Sequence, residues 1–141
     1  MRASGMKFRG DKNAPMRRRV ETWDGSKWVM FKLPPEFLRQ GHSVYTWGYC
    51  GSGPIDLACA LLAHVVLPEQ ACLYCQAFML DVIVPMKADR WEMAAADVLR
   101  WFRDNATPDR VSSAAVGDEV NFCRHRLTKA AMREVKARRR K

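Results

Sequence analysis

The chain has no apolar run near the roughly 18 residues that span a bilayer. Its longest, Leu57–Leu67, is interrupted by His64, so no membrane-spanning helix is expected. No apolar segment follows Arg2, Lys7 and Arg9, as a secretory leader would require. Cysteine is too sparse for a secreted disulfide scaffold: five in 141 residues, an odd number. Reduced, buried thiols in a cytoplasm are the expectation. Cys59, Cys72 and Cys75 fall among apolar neighbours in predicted helices.

Acid is nearly missing from both ends. Residues 1–20 carry seven Lys/Arg and one acid, and residues 120–141 carry nine and one. The remaining middle carries eight Lys/Arg and thirteen acids, so the net +9 resides entirely in the ends. Blocks of one sign favour nucleic acid, an acidic protein surface or an anionic membrane. The residues expected to serve such a partner are Arg17, Arg18 and Arg19 at one end. At the other they are Arg124, Arg126, Lys129, Arg133, Lys136, Arg138, Arg139, Arg140 and Lys141. A helical basic face can track phosphates. A membrane surface is disfavoured, because the opposite face lacks bulky apolar residues.

Apolar residues make up 48% of the chain, enough for one core, and the length suits one domain. The expected fold is α+β: an N-terminal β-hairpin packed on a small bundle of three to four helices. Residues 1–16 read as a flexible basic arm, 17–106 as the core, 107–119 as a linker and 120–141 as a basic helix or tail. Asp24-Gly25-Ser26 between Arg18–Trp23 and Lys27–Leu33 is a hairpin signal. Helices are expected from Pro54 to about Val66, from Glu69 to Val84, from Ala94 to Asn105 and from Val120 to Arg138. Gly48, Gly51, Ser52, Gly53 and Pro54 form a structural glycine loop. Ser52 or Gly53 caps the first helix in this reading, and Pro54 takes its first position.

The segment Trp47-Gly-Tyr-Cys-Gly-Ser-Gly-Pro54, followed by Leu57-Ala-Cys-Ala-Leu-Leu62, resembles the signature of DUF6166, a small uncharacterised bacterial and phage domain. Gly41-His42-Ser43, the stretch Tyr74–Phe78, and Asp89-Arg90-Trp91-Glu92-Met93 with Trp101-Phe102 resemble further parts of it. The likeness covers roughly residues 18–103. Cys50 departs from an expected glycine, and Ala94 from an expected Ser/Thr cap. The resemblance implies a fold unit carried by phages and mobile elements, and no activity.

Chemistry-bearing groups are few. The glycine loop opening a helix could hold a phosphate, but no P-loop lysine follows it and Asp56 would repel an anion. Cys72-x-x-Cys75 with Cys123-x-His125 offers zinc ligands, but Cys72 and Cys75 sit on a helical core stripe, so no metal or cofactor is expected. Among His42, Ser43, Cys50, Ser52, Asp56 and His64, only Cys50 and His42 could pair, without an orienting third group. His64 reads as a satisfied core or interface histidine. No catalytic residue is assigned.

The tryptophans Trp23, Trp28, Trp47, Trp91 and Trp101 read as core. Trp23 and Trp28, near Arg17–Arg19, are the exceptions that could stack on bases. The functional expectation is a non-enzymatic accessory protein of a phage or mobile element, binding nucleic acid non-specifically through its ends. The alternative is an inhibitor or adaptor that binds a host nucleic-acid machine.

Overall fold

The computed structural model describes residues 5–38, 45–115 and 119–139. It is an α+β fold. Strands β1 (Lys7–Asp11), β2 (Val20–Trp23), β3 (Trp28–Met30) and β4 (Arg90–Ala94) form one antiparallel sheet in the order β3-β2-β1-β4. Helices α1 (Ser52–Ala63), α2 (Pro68–Phe78), α3 (Ala95–Asn105), α4 (Glu119–Arg124) and α5 (Lys129–Arg139) make up the rest, with a π-helical turn, Met79–Ile83, extending α2.

The expected hairpin is present with shorter strands. Gly25 takes φ +108 in the turn, and Asp24 Oδ1 accepts from the Ser26 and Lys27 N–H groups at 2.8 and 2.9 Å. The hairpin is only half of the sheet. Residues 7–11 of the expected arm are an inner strand, paired on both sides. Phe8 is fully buried and meets Phe31 and the His64 ring at centroid distances of 5.6 and 5.5 Å. Gly10 lets the Trp91 indole lie on the strand; a Cβ there would stand 2.2 Å from Trp91 Nε1.

Helix α1 is apolar around its whole circumference from Leu57 to Ala63, so it must be central. Every residue of that run is buried. Its N-cap is Gly51, without a side-chain hydrogen bond, so Ser52 does not cap and is exposed. Pro54 comes third in the helix instead of first. That is still within the turn whose N–H groups have no helical partner. Pro68, which lies between the first two expected helices, opens α2. The Gln70 side chain accepts the Leu67 N–H at 3.0 Å.

Two further expectations change. The linker region is packed: Ser112 is buried, its N–H donates to Leu73 O at 2.8 Å and its hydroxyl contacts Gln76 Oε1 at 3.0 Å. The single basic helix or tail is two helices, broken at residues 125–128. That break pairs with residues 36–38 through a Phe37–Leu127 bridge and the bonds Leu38 N to Arg126 O and Thr128 N to Glu36 O. Ala131, Met132 and Val135 dock α5 on the body.

Candidate functional site

In an antiparallel ladder, directly opposed residues share a face. Phe8, Thr22 and Val20 therefore mark the covered side of the sheet, where all three are buried. The other side carries Lys7, Trp23 and Trp28 in one row and Glu92, Arg9, Glu21 and Met30 in the next. The two indoles meet edge to face at 5.6 Å. Lys7 Nζ stands 5.4 and 5.8 Å from their ring centres, and the Arg9 guanidinium 4.1 Å from that of Trp28. Arg9 and Arg18 also bind the Glu21 carboxylate at 2.9 and 2.8 Å. Along this side of the sheet four cations (Lys7, Arg9, Arg18 and Arg90) meet three carboxylates (Asp11, Glu21 and Glu92).

A second concavity lies where the glycine loop meets the approach to β4. Gly48 takes φ +89, and a Cβ there would stand 2.8 Å from Met86 O. Its N–H donates to Ile83 O, exposed by the π turn, at 3.0 Å, and its own carbonyl accepts from Lys87 Nζ at 2.6 Å. Trp47 is fixed by an indole N–H bond to Ala88 O (2.9 Å) and an edge contact with Trp91 (5.7 Å). Tyr49 is fixed by a 2.8 Å hydroxyl contact with Thr46. The resulting cleft, ≈ 270 Å³, is lined by Lys12, Arg19, Trp47, Tyr49, Lys87 and Asp89, among others.

The three consecutive arginines thus take separate roles. Arg17 is exposed, Arg18 joins the sheet face, and Arg19 lines the cleft.

The C-terminal cations divide likewise. Arg138 holds the buried Glu69 carboxylate with two 2.8 Å bonds, and Arg139 pairs with Glu119. Arg126 is half-buried over Phe122, near Asp56 and the Cys59 and Cys75 thiols. All three make contacts within the fold, and Arg138 and Arg139 remain exposed. Lys129, Arg133 and Lys136, at i, i+4 and i+7, remain exposed on one stripe of α5, without an ion pair among the described residues. The Arg124 side chain, Arg140 and Lys141 lie outside the described residues.

Burial alone would raise the Glu69 carboxyl, but the Arg138 guanidinium outweighs it and holds the pKa below the ordinary 4.5. A depressed carboxylate stabilises the fold above its unfolded pKa, and that contribution disappears as pH falls through the folded value. Arg138→Gln is expected to cost about 1–2 kcal/mol at pH 7, the lower part of the range for charged hydrogen bonds because the guanidinium is partly exposed. In urea titrations across pH, wild type and variant should converge below pH 4.5. A constant gap down to pH 2 would contradict the pairing.

Cys59, Cys72, Cys75 and Cys123 are all buried, as expected for the first three. Contact with the Cys123 and Cys59 sulfurs, then burial, pushes the Cys72 thiol up. Contact with Cys59, then burial, does the same to Cys75. Among the described residues no group of three or more His, Cys, Asp or Glu is arranged to hold a metal, and His125 is exposed while Cys123 is buried. His64 bonds Lys32 O at 2.9 Å and packs on Phe8 and Phe31, the satisfied histidine expected. Cys50 is exposed; His42, the one candidate partner for it, and Ser43 lie outside the described residues. Trp101 is structural, bonded to Asp81, which Arg110 also grips. Among the described residues no helix is long and apolar enough to cross a membrane.

The sequence points to Trp23 and Trp28 but not to Lys7 and Arg9 beside them, because only pairing on both sides makes residues 7–11 a strand. The cleft is not legible locally, because its walls come from residues 12, 19, 46–49 and 86–89, which no local pattern joins.

The family model described as a family of unknown function, DUF6166, matches residues 8–104. The match starts within β1 and ends within α3, so it contains all but one residue of the sheet. No curated protein and no solved structure matches the chain.

Proposed function

The chain belongs to DUF6166, a family of unknown function, and we propose that it is a non-enzymatic nucleic-acid-binding module whose open sheet face engages unpaired bases. One observation carries this reading: the paired indoles of Trp23 and Trp28 stand on the uncovered side of a four-stranded sheet, with Lys7 and Arg9 against them. Aromatics on an open sheet stack bases irrespective of sequence, because every base offers a π-face. The cations that stack on the indoles in the free protein move to the phosphates when bases take their place. Lys129, Arg133 and Lys136 add long-range, sequence-indifferent attraction.

Fluorescence anisotropy with one labelled oligonucleotide, single-stranded and as a duplex, tests this. The single strand should bind more tightly at low salt. Trp28→Ala should weaken it by about 1–3 kcal/mol, the usual worth of one stacked base. Glutamine at Lys129, Arg133 and Lys136 should flatten the salt dependence without moving the melting temperature. Equal binding of duplex and single strand, with Trp28→Ala without effect, would remove the sheet face from the reading. Absence of any binding at low salt would put an acidic protein partner first.

A further inference from the structure

We infer that the cleft between the glycine loop and residues 86–89 is a binding site for a nucleoside monophosphate group, free or as the phosphorylated end of a strand. This goes beyond the sheet-face reading and stands on different residues.

The cleft has the chemistry of such a group. Its lining includes three cations, Lys12, Arg19 and Lys87, against one carboxylate, Asp89, so its charge favours an anion. Arg19 Nε is buried and finds no acceptor among the described residues. Arg19 as a whole is half-buried in the cleft wall, and a guanidinium partly withdrawn from water pairs more strongly with an anion than a fully exposed one does. Beside these charges stand two aromatics: Trp47, held through its indole N–H, and the exposed Tyr49, whose hydroxyl meets that of Thr46. Rings held in advance lose little entropy when another ring stacks on them.

Asp89, which an anion alone would not explain, suits ribose hydroxyls as an acceptor. Its backbone carbonyl already holds the Lys12 N–H at 2.8 Å, which ties the cation to the cleft wall. The volume, ≈ 270 Å³, lies near the low end of the roughly 300–1,000 Å³ of small-molecule sites. It suits one base-sugar-phosphate unit, with the rest of a strand lying outside it. The loop that builds the cleft needs glycine at position 48 for both its φ and its approach to Met86.

Isothermal titration of the intact protein with adenosine 5′-monophosphate, adenosine and inorganic phosphate tests the inference. The monophosphate should bind saturably, and adenosine and phosphate at least tenfold more weakly. Arg19→Gln should weaken the monophosphate at least tenfold with the thermal melt unchanged. Should Arg19→Gln fail to fold, the exposed Lys12→Gln, expected to weaken binding about threefold, takes its place. A 5′-phosphorylated trinucleotide that binds better than its 5′-hydroxyl form and better than the monophosphate would identify strand ends as the source. Equal affinity for trinucleotide and monophosphate would identify free nucleotide. Adenosine binding as well as its monophosphate, no saturable heat with millimolar monophosphate, or wild-type affinity in folded variants would each overturn the site. The monophosphate reads the cleft without a strand, and 5′-hydroxyl oligonucleotides read the sheet face, so either can fail while the other stands.

Discussion

Phe8→Ala is expected to cost about 3–5 kcal/mol, the loss typical of a large aromatic deleted from a packed interior. Phe8 has no solvent exposure, packs edge to face on Phe31 and touches the His64 ring at the end of α1. The cavity would open where the sheet meets the end of α1 and Phe31. Against a domain stability of order 5–15 kcal/mol, such a loss should leave the variant partly unfolded at moderate temperature. Urea denaturation followed by tryptophan fluorescence measures it. A loss below 1 kcal/mol would mean that the N-terminal strand contributes nothing to the core. The neighbouring Arg9→Gln makes a useful contrast: Arg9 is on the open face, where its ion pair and ring contact contribute roughly 1 kcal/mol.

Val135→Asp should be as damaging or worse. Val135 is fully buried on the docked face of α5, beside Met132 and Ala131. An aspartate there puts a charge in an apolar seam that provides no designed partner, a change of roughly 3–5 kcal/mol. Because α4 and α5 hold on to α2 and to residues 36–38, the loss should appear as cooperative unfolding of the whole molecule. A melting curve in which only a small helical fraction disappears early would show that the C-terminal helices form a separable unit. Arg133→Asp, two positions away and exposed, reverses a charge on the same helix and should leave stability within about 0.5 kcal/mol.

The two changes bear on what could be read from sequence. The Asp24-Gly25 turn and the apolar block Leu57–Ala63 announce themselves locally. Turn chemistry and all-round apolarity need no knowledge of distant partners. The pattern of β1, Lys-Phe-Arg-Gly-Asp, does not. It offers one bulky apolar residue among charges, and only pairing on both sides by β2 and β4 makes it a strand. Strand β4 was hidden in the same way, since Trp91 and Met93 also fit the approach to a helix. At the C-terminus the basic density masked a thin stripe, Ala131, Met132 and Val135, that is enough to dock a helix.

The candidate site was legible in part. Trp23 and Trp28 could be singled out from their place on a hairpin beside arginines. Of the C-terminal cations, the sequence had no means of separating Arg138, committed to Glu69, from Arg133, left to solvent. That distinction depends on an acid 69 positions away.

The order of the sheet also sets an order of events. Phe8 faces Thr22 on one side and Met93 on the other; the first contact closes a short loop and the second a loop of 85 positions. Long-range closures are the slow, entropically expensive part of folding. On the ribosome, β1 can zip onto the hairpin early, but its second edge stays open until everything through β4, including α1 and α2, has been made. During that interval the chain displays an unsatisfied strand edge. The edge carries Lys7 and Arg9, and charged side chains of this kind discourage a neighbouring chain from adding to it.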